Sequence, residues 1–357
     1  MYKIGLIGFG GIASGYHYNT YQREDVPFEL AGVYDLRESQ RNLARERGVR
    51  TFDTLQEFLD SRLFDFVVIA VSNNNHCPLA CAALNAGYNV MVEKPAALSC
   101  EEIQLMIDTA KKAGRIFTVH HNRRWDRDFL IVRQALEAGY MGKPYTIESR
   151  IHPRLAVGGG LPGWRIFPDH GGGMLLDWGI HMLDQLLYLI KEPLVSVSAN
   201  IVAHRGKAVD DYSKLILTYE SGLIAQLEVA TFTPLWLPRW YICGEEGSLS
   251  MDFIGDTQAH IKRVSGSHYI EGEAAAYTMD AVEMRPVRGF CVDEIEEFDY
   301  PSKENLPPQD WASLYKNLAG VLDGKEELVV KPEEVLRCFR VIEAAHVSAT
   351  EHRTILL

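Results

Sequence analysis

Residues 2–13 read YKIGLIGFGGIA, and this stretch decides how the chain begins to fold. The apolar run over residues 2–7 is typical of a strand buried on both faces of a parallel sheet. Gly8, Gly10 and Ala13 then match the pattern G-x-G-x-x-G/A, in which a strand turns tightly into a helix whose first N–H groups favour a pyrophosphate. The residues predicted to lie against a dinucleotide are Gly8, Gly10, Gly11 and Ile12.

An acidic residue ends the second predicted strand, FELAGVYD, whose last residue is Asp35. In dinucleotide-binding turns a carboxylate at this point accepts hydrogen bonds from the adenosine ribose and repels a 2′-phosphate. Asp35 therefore predicts NAD as the cofactor, while the alternative role of a helix N-cap stays open. Arg37 could pair bidentately with a 2′-phosphate, so NADP remains possible.

Three more strands and two helices are predicted before residue 122, and they indicate a doubly wound parallel sheet. The stretches are FDFVVIAVS, HCPLACAALNAG, YNVMVEK, SCEEIQLMIDTAKKAG and RIFTVHH. Because ligands bind outside the carboxyl ends of such strands, we predict a dinucleotide-binding domain over residues 1–122. The polar residues near those ends that we assign to cofactor binding are Ser72, Asn73, His76, Glu93, Lys94 and Asn122.

Lys94 and Pro95 are expected at the mouth of the cofactor cleft. A lysine in that position can donate to a substrate oxygen, and the proline after it restricts where the side chain goes. The bond between these two residues is a candidate cis peptide, since cis bonds concentrate at X-Pro steps in constrained turns. Further on, Ser99 and Glu102 have the spacing of a capping box that opens a helix.

Residues 175–187, LLDWGIHMLDQLL, predict a helix that is apolar almost all the way round. At about 100° per residue, Asp177, His181 and Asp184 form one narrow polar stripe. The stripe is either a solvated face or the lining of a wet cleft in the interior. The flanking Trp178 favours the cleft, because surface helices normally present a broad polar arc to water.

The stripe has the residue types needed to move a proton. An imidazole with a pKa near neutrality suits acid/base work, so His181 is the predicted acid/base, and Asp177 could orient it or bind a hydroxyl. Lys94 would stabilise a developing alkoxide and is the second candidate for the proton step. Asp184 is assigned a structural role. A metal ion held by Asp177, His181 and either His120 or His121 is an alternative, but no compact metal motif supports it, and we expect no metal.

The remainder of the chain, residues 123–357, predicts a substrate-binding and oligomerisation domain. After a helix near 126–138, short alternating strands predict an open, mostly antiparallel or mixed sheet. These strands are PYTIESRIH, VSVSANIVAH, SKLILTYE, LIAQLEVATF, RWYICG and GSLSMDF. Glycines at 158–160 and 171–173 bracket a loop that could approach a ligand, so Trp164 and Arg165, with Arg123, are candidate substrate contacts; core packing is the alternative for Trp164. The segment 262–286 has no clear periodicity and is given no role, and two helices near 310–322 and 332–350 are expected to pack on the sheet.

Composition excludes several classes of protein. A chain of 357 residues with 47% hydrophobic and 24% charged residues is a globular protein, most simply of two domains. A net charge of -12 with dispersed Lys and Arg argues against nucleic-acid and anionic-membrane partners. Six cysteines show neither metal-site spacing nor the density of a disulfide scaffold, and no signal-peptide pattern opens the sequence, so a reducing cytoplasm is expected.

Five motifs in order make the chain resemble the glucose-fructose oxidoreductase/inositol dehydrogenase/MocA family. They are GFGGIA, Asp35, NNNH ending in His76, EKP at residues 93–95, and GGGMLLDWGIHMLD at residues 171–184. The resemblance covers nearly the whole chain and implies a Rossmann domain followed by an α/β domain whose open sheet forms a subunit interface. It also implies that Lys94, Asp177 and His181 meet around the substrate.

The function expected from the residues and the resemblance is hydride transfer between NAD(P) and a secondary hydroxyl of a sugar, cyclitol or glycoside, in a homo-oligomer of two or four chains. Hydroxyl-rich substrates suit a cleft with many donors, acceptors and aromatic faces. Two alternatives stay open: glycoside cleavage through transient oxidation with tightly held NAD, and a non-catalytic NAD or sugar sensor. The substrate, the oxidised carbon and the physiological direction are left open by the sequence.

Overall fold

The structure is a computed structural model that describes residues 1–152, 161, 163–204, 208–231, 233, 235–276 and 285–357, with side chains described except at 270–276 and 285–292. The predicted glycine run 158–160 lies outside these residues. Across the described part of the chain, none of the helices combines the length and apolar character needed to cross a membrane.

The first 122 residues contain a parallel sheet of six strands in the order β3-β2-β1-β4-β5-β6. The strands are β1 (Tyr2–Ile7), β2 (Phe28–Tyr34), β3 (Thr51–Phe52), β4 (Phe66–Ile69), β5 (Asn89–Val92) and β6 (Phe117–Val119). The helices between them are α1 (Tyr18–Tyr21), α2 (Glu38–Glu46), α3 (Leu55–Asp60), α4 (His76–Asn85) and α5 (Cys100–Ala113). The order reverses beside β1, as in a Rossmann fold, so the predicted doubly wound sheet is confirmed.

The sequence signals of this half act locally as predicted. Every residue of β4 is buried, as expected of a strand covered by helices on both faces. Ser99 caps α5 by accepting a hydrogen bond from the N–H of Glu102, 3.2 Å away. The Glu102 carboxylate accepts from the N–H of Leu98 at 2.8 Å, so only the first half of the predicted capping box forms. The helix after β1 opens with a π-helical turn over Ala13–His17 before continuing as α1.

The second half of the chain is built on a nine-stranded mixed sheet in the order β14-β13-β12-β11-β7-β10-β9-β8-β15. Its strands are β7 (Pro144–Ile151), β8 (Leu194–Val202), β9 (Tyr212–Tyr219), β10 (Ile224–Ala230), β11 (Trp240–Gly244), β12 (Gly247–Met251), β13 (Ala259–Ala276), β14 (Arg285–Tyr300) and β15 (Ile355–Leu356). Among the described strands of this sheet, β7 and β10 alone pair in parallel, which confirms the mostly antiparallel sheet.

Two long antiparallel strands occupy most of the region that the sequence left without a role. Strands β13 and β14 pair antiparallel from Ala259 opposite Tyr300 to Ala276 opposite Arg285, with register shifts after Val264 and after Ile270. Irregular pairing of this kind breaks the two-residue alternation, which explains why no strand period was visible in the sequence.

Four helices accompany this sheet: α6 (Arg127–Glu137), α7 (Ile180–Leu189), α8 (Ser313–Leu322) and α9 (Pro332–Glu351). The two C-terminal helices form where they were predicted. Helix α9 packs on β8, but α8 instead packs on the first domain, where the ring of Tyr315 contacts Tyr21 at 5.1 Å and Phe28 at 6.0 Å between centroids. The C-terminal part of the chain therefore completes the surroundings of the N-terminal sheet.

Candidate active site

A cavity of about 1160 Å³ runs along the carboxyl ends of the parallel strands and reaches the second domain. This volume is somewhat larger than the roughly 300–1,000 Å³ that is usual for a small-molecule site, so it has room for a cofactor and a substrate together. The predicted site residues that line it are Gly8, Gly10, Gly11, Ile12, Asp35, Arg37, Ser72, Asn73, Glu93, Lys94, Asn122, Arg123, Trp164, Arg165, Asp177 and His181. The fingerprint turn is thus brought into one cavity with the candidate catalytic residues.

One predicted cofactor residue does not reach the cavity. His76 is fully buried behind it, with Nδ1 2.9 Å from the carbonyl oxygen of Pro95 and Nε2 3.3 Å from that of Val71. A strand-end position in the sequence cannot distinguish a side chain that faces the ligand from one that supports the turn beneath it. His76 therefore braces the backbone around Pro95.

The glycines of the fingerprint leave room for a ligand. Gly8 has a φ of +92°, a backbone conformation that residues other than glycine rarely adopt. A Cβ at this position would collide with the carbonyl oxygen of Ala70. Gly11 has nothing within 4 Å of the place where a Cβ would stand, so its backbone is open to the cavity. This is the cradle that a pyrophosphate needs.

Asp35 is buried at the end of β2, and both of its carboxylate oxygens accept hydrogen bonds from backbone N–H groups. The N–H of Phe9 donates at 2.8 Å and the N–H of Arg37 at 2.9 Å, so the carboxylate ties the fingerprint turn to the start of α2. The Arg37 side chain is 60% exposed and its Nε lies 3.3 Å from Asp35. Both groups that the sequence identified for cofactor choice therefore lie together at this end of the cavity.

The other end of the cavity is organised by Lys94. The peptide bond to Pro95 is cis, as predicted. The Lys94 Nζ donates to the Asp177 carbonyl oxygen at 2.7 Å and to its Oδ1 at 3.1 Å. Arg165 donates from Nε to the same Oδ1 at 2.9 Å. Burial acts to raise the pKa of Asp177, but the charges of Lys94 and Arg165 outweigh it and hold that pKa below its usual value.

The helix that carries Asp177 and His181 forms as predicted, but its first turn, Leu175–Gly179, is π-helical before α7 begins. Asp177 and His181 both line the cavity, so the stripe is the lining of a cleft and not a solvated face. The two side chains do not hydrogen-bond each other, because Asp177 is engaged by Lys94 and Arg165. The expectation that Asp177 orients the imidazole directly is therefore not met.

His181 is buried, with 5% of its surface exposed, and its Nδ1 has no hydrogen-bond partner among the described residues. Burial, together with the nearby charges of Lys94 and Arg123, holds the pKa of His181 well below its ordinary value. The imidazole is therefore neutral at neutral pH and able to accept a proton.

Asp184 points away from the cavity and forms a buried ion pair. Its two oxygens accept from Arg124, Oδ1 from Nη2 at 2.6 Å and Oδ2 from Nε at 2.8 Å. Burial acts to raise the pKa of Asp184, but the Arg124 charge outweighs it and lowers that pKa. This arrangement accords with the structural role assigned to Asp184.

Aromatic rings and guanidinium groups form the rest of the substrate end. Arg123 lies over the ring of Trp178 at 4.4 Å and over that of Trp311 at 5.4 Å, and it donates to Asp126 at 2.9 Å. Trp164 is only half-buried and lines the cavity, which favours ligand contact over core packing. Trp311 was not identified from the sequence, because no local pattern links it to residues so far away along the chain.

A buried polar cluster beneath this end was also missed. Glu93 Oε1 lies 2.8 Å from His17 Nε2 and 2.8 Å from His120 Nδ1, and the Tyr315 hydroxyl lies 2.5 Å from His17 Nδ1. Within the described ranges, these three His and Glu side chains are the one group with the spacing of metal ligands, and Asp177 and His181 do not belong to it. The contacts between Glu93 and the two imidazoles have hydrogen-bond lengths, so direct hydrogen bonds join the three side chains.

Fold and site together define a class: a two-domain enzyme with a Rossmann cofactor turn, a lysine joined to the next proline by a cis peptide bond, and a buried histidine in one cleft. Residues 2–121 match the model of an oxidoreductase family with an NAD-binding Rossmann fold, and residues 129–250 match that of the GFO/IDH/MocA C-terminal domain. The chain belongs to the Gfo/Idh/MocA family of NAD-binding oxidoreductases.

The chain is similar over most of its length to individual proteins of this family. D-glucoside 3-dehydrogenase of Escherichia coli (strain K12) is 30% identical over 268 residues, covering 71% of this chain and 75% of that protein. The NADP-dependent scyllo-inositol 2-dehydrogenase IolW of Bacillus subtilis (strain 168) is 27% identical, covering 99% and 96% of the two chains. The crystal structure of an NAD-binding protein from Listeria innocua superimposes with a TM-score of 0.84 at 34% identity, covering 99% and 96%.

Proposed function

We propose that the protein transfers a hydride between a nicotinamide cofactor and the carbon of a secondary hydroxyl or ketone in a sugar, cyclitol or glycoside. The observation that carries this proposal is one cavity with the fingerprint turn at one end and Lys94, Asp177 and His181 at the other. Relatives named for a glucoside and for an inositol support the polyol class. We assign cofactor binding to residues 1–122, and substrate binding and assembly to residues 123–357.

Lys94 is assigned to the substrate oxygen. An ammonium group has three donors, and two of them are engaged by the carbonyl and carboxylate oxygens of Asp177. The third is available to a hydroxyl or carbonyl oxygen in the cavity. A bound nicotinamide would supply the hydride acceptor or donor. The positive charge of Lys94 stabilises the alkoxide that forms on the substrate when the hydroxyl loses its proton, or when a ketone carbon gains a hydride.

His181 is assigned to the hydroxyl proton. Its imidazole is neutral at neutral pH, so it accepts the proton when the alcohol is oxidised and returns one when a ketone is reduced. Proton acceptance creates a cation close to Lys94, which is unfavourable in the resting protein. Asp177, with its low pKa, supplies the negative charge that offsets these cations and fixes the Lys94 ammonium in place.

The walls of the substrate end suit a polyol. Trp164 and Trp178 offer ring faces to the apolar side of a sugar or cyclitol, while Arg123 and Arg165 offer donors to its hydroxyls. Arg123 is stacked against two tryptophans and tied to Asp126, so its direction is set before substrate arrives. Such preorganisation is how a site discriminates between isomers of one polyol.

NAD is the preferred cofactor in this proposal, with NADP as the second choice. The Asp35 carboxylate opposes a 2′-phosphate at the adenosine end, whereas the exposed Arg37 side chain can turn toward solvent at little cost. The NADP-dependence in the name of the Bacillus relative keeps the second choice open.

Assembly is proposed to use the outer face of the nine-stranded sheet. Ile216, Ile224 and Tyr241 stand on strands of that sheet and are between 37% and 38% exposed. Apolar residues on an uncovered sheet face are typical of an interface, so a homo-oligomer of two or four chains is expected. The five described cysteines are all free, which fits work in the reducing cytoplasm.

A direct test screens sugars, inositols and glycosides with NAD and NADP, following absorbance of the reduced nicotinamide. Oxidation of at least one polyol with stoichiometric NADH formation is the expected result. Release of a free sugar from a glycoside without accumulation of NADH would replace the dehydrogenase with a glycoside-cleaving enzyme. Cofactor binding without turnover of any compound in the panel would favour a sensor.

A further inference from the structure

Glu93 is a buried carboxylate in the wall of the cavity. It has no role in the hydride-transfer scheme described above. It follows β5, is 7% exposed and stands between the fingerprint turn and Lys94. Its Oε1 accepts from His17 and from His120, each at 2.8 Å, and its Oε2 accepts from the N–H of Lys94 at 3.1 Å. Three donors therefore converge on one side chain.

The direction of every bond in this cluster follows from the chemistry of the groups. A carboxylate accepts only, so His17 must donate from Nε2, which leaves its Nδ1 as an acceptor. The Tyr315 hydroxyl then donates to that Nδ1 at 2.5 Å and accepts from the Tyr21 hydroxyl at 2.7 Å. Every donor in this row of hydrogen bonds points toward Glu93, which stabilises the negative charge of the carboxylate. If Glu93 were protonated, its O–H would find no acceptor in the row.

Two imidazoles hold the Glu93 carboxylate in its charged form. Burial acts to raise the pKa of Glu93, but His120 and His17 outweigh it and hold that pKa well below its usual range. Burial lowers the pKa of His17, so this imidazole is neutral. His120 Nε2 has no partner among the described residues.

The other charges at this end of the cavity are paired with one another. Lys94 and Arg165 share Asp177, and Arg123 pairs with Asp126. These groups comprise three cations and two carboxylates. Removing the charge of Glu93 would therefore leave a positive excess beside the cavity.

We propose that Glu93 is the counter-charge of the nicotinamide ring and makes the protein bind the oxidised cofactor more tightly than it would without this carboxylate. The proposal rests on the proposed function, in which Asp35 marks the adenosine end of the cavity and Lys94, Asp177 and His181 mark the end at which the hydride is transferred. An oxidised nicotinamide carries a positive charge and a reduced one does not, so a fixed anion favours the oxidised form.

The test compares dissociation constants for NAD⁺ and NADH in wild type and in Glu93→Gln. The amide keeps the shape of the side chain and an oxygen for the two imidazoles, but removes the charge. The ratio of NAD⁺ affinity to NADH affinity should fall about tenfold or more, the order expected of one unit charge in a partly buried site. Calorimetry gives the NAD⁺ constant, and nicotinamide fluorescence gives that of NADH.

Two controls retain the carboxylate. Glu93→Asp keeps the charge, and Tyr315→Phe removes the outer hydroxyl of the chain, so both should hold the NAD⁺ to NADH ratio within about threefold of wild type. Should Glu93→Gln not fold, Glu93→Ser is measured in the same way, because it also removes the charge and its smaller side chain fits the same space.

If NAD⁺ and NADH both bound more weakly to Glu93→Gln by the same factor, the proposal would be overturned. Glu93 would then make a contact common to both forms of the cofactor, such as one to the ribose. An unchanged ratio would also overturn it, because the charge of Glu93 would then have no effect on the nicotinamide ring. Wild type that binds neither NAD⁺ nor NADH would instead refute the proposed cofactor, and this inference with it.

Discussion

Replacing Asp184 with asparagine should cost stability, whereas the same change at Asp177 should cost activity. Both acids belong to one stripe of the same helix, yet the tertiary structure gives them opposite surroundings. The Arg124 and Asp184 side chains are 2% and 3% exposed and share two hydrogen bonds of 2.6 and 2.8 Å. Asp177 lies in the cavity wall with Lys94 and Arg165.

The size of the stability loss depends on the hydrogen-bond partners that Arg124 keeps in the Asp184→Asn variant. Removing one partner of a buried ion pair typically destabilises a protein by about 3–5 kcal/mol. Arg124 keeps Glu334 at 2.8 Å and the Val329 carbonyl oxygen at 2.8 Å, so about 3 kcal/mol is expected for Asp184→Asn. With an unfolding entropy of about 2.1 cal/mol/K per residue over 357 residues, this lowers Tm by about 4 °C.

The pH dependence of that loss has a definite sign. Because the pKa of Asp184 is lowered in the folded protein, its contribution is fully present above the unfolded carboxyl value of about 3.9 and is lost as the pH falls toward the folded value. The stability difference between wild type and Asp184→Asn should therefore be constant from pH 5 to pH 8 and shrink in acid.

Melting followed by circular dichroism, alongside steady-state kinetics of the folded protein, separates the two variants. Asp177→Asn should reduce kcat about 10- to 100-fold, the value of one or two charge-assisted hydrogen bonds, with a smaller change in Tm than Asp184→Asn. An Asp184→Asn protein that melts with wild type, or loses as much kcat as Asp177→Asn, would refute the reasoning.

Three further results are expected. His181→Ala and Lys94→Ala should each lower turnover about 10²-fold or more while NAD binding survives, and near-normal turnover in both variants would contradict the assigned roles. In wild type, the acid limb of the pH profile for alcohol oxidation should lie below pH 6.5, because the pKa of His181 is lowered. In titrations, Arg37→Ala should weaken the binding of NADP more than that of NAD. Asp35→Asn, which keeps an acceptor for the Phe9 N–H, should lower the preference for NAD over NADP. An unchanged ratio of NAD to NADP affinity in both variants would contradict the roles assigned to these residues. Sedimentation should show an oligomer, which Ile216→Glu on the outer sheet face should weaken; a wild-type monomer would exclude that interface.

The sequence by itself determined the features that depend on neighbours along the chain. The turn after β1 follows from Gly8 and from the apolar run before it, since only glycine takes its φ of +92° without strain. The cap at Ser99 and the helix over 175–189 likewise follow from local spacing and apolar period. Five ordered motifs were sufficient to indicate the family and the class of reaction.

Tertiary structure alone decided which side chains meet. Asp177 was predicted to orient His181 or to bind a hydroxyl, and sheet order and helix packing bring Lys94 to it across 83 residues of chain. The same holds for Glu93 and His17, and for Tyr315, which reaches His17 across 298 residues. A hydrophobic period reports which face of a helix or strand is buried, but it carries no information about the charge placed opposite that face. Because ion pairs and hydrogen bonds act over a few ångströms in space, only the folded chain sets the partners of these groups.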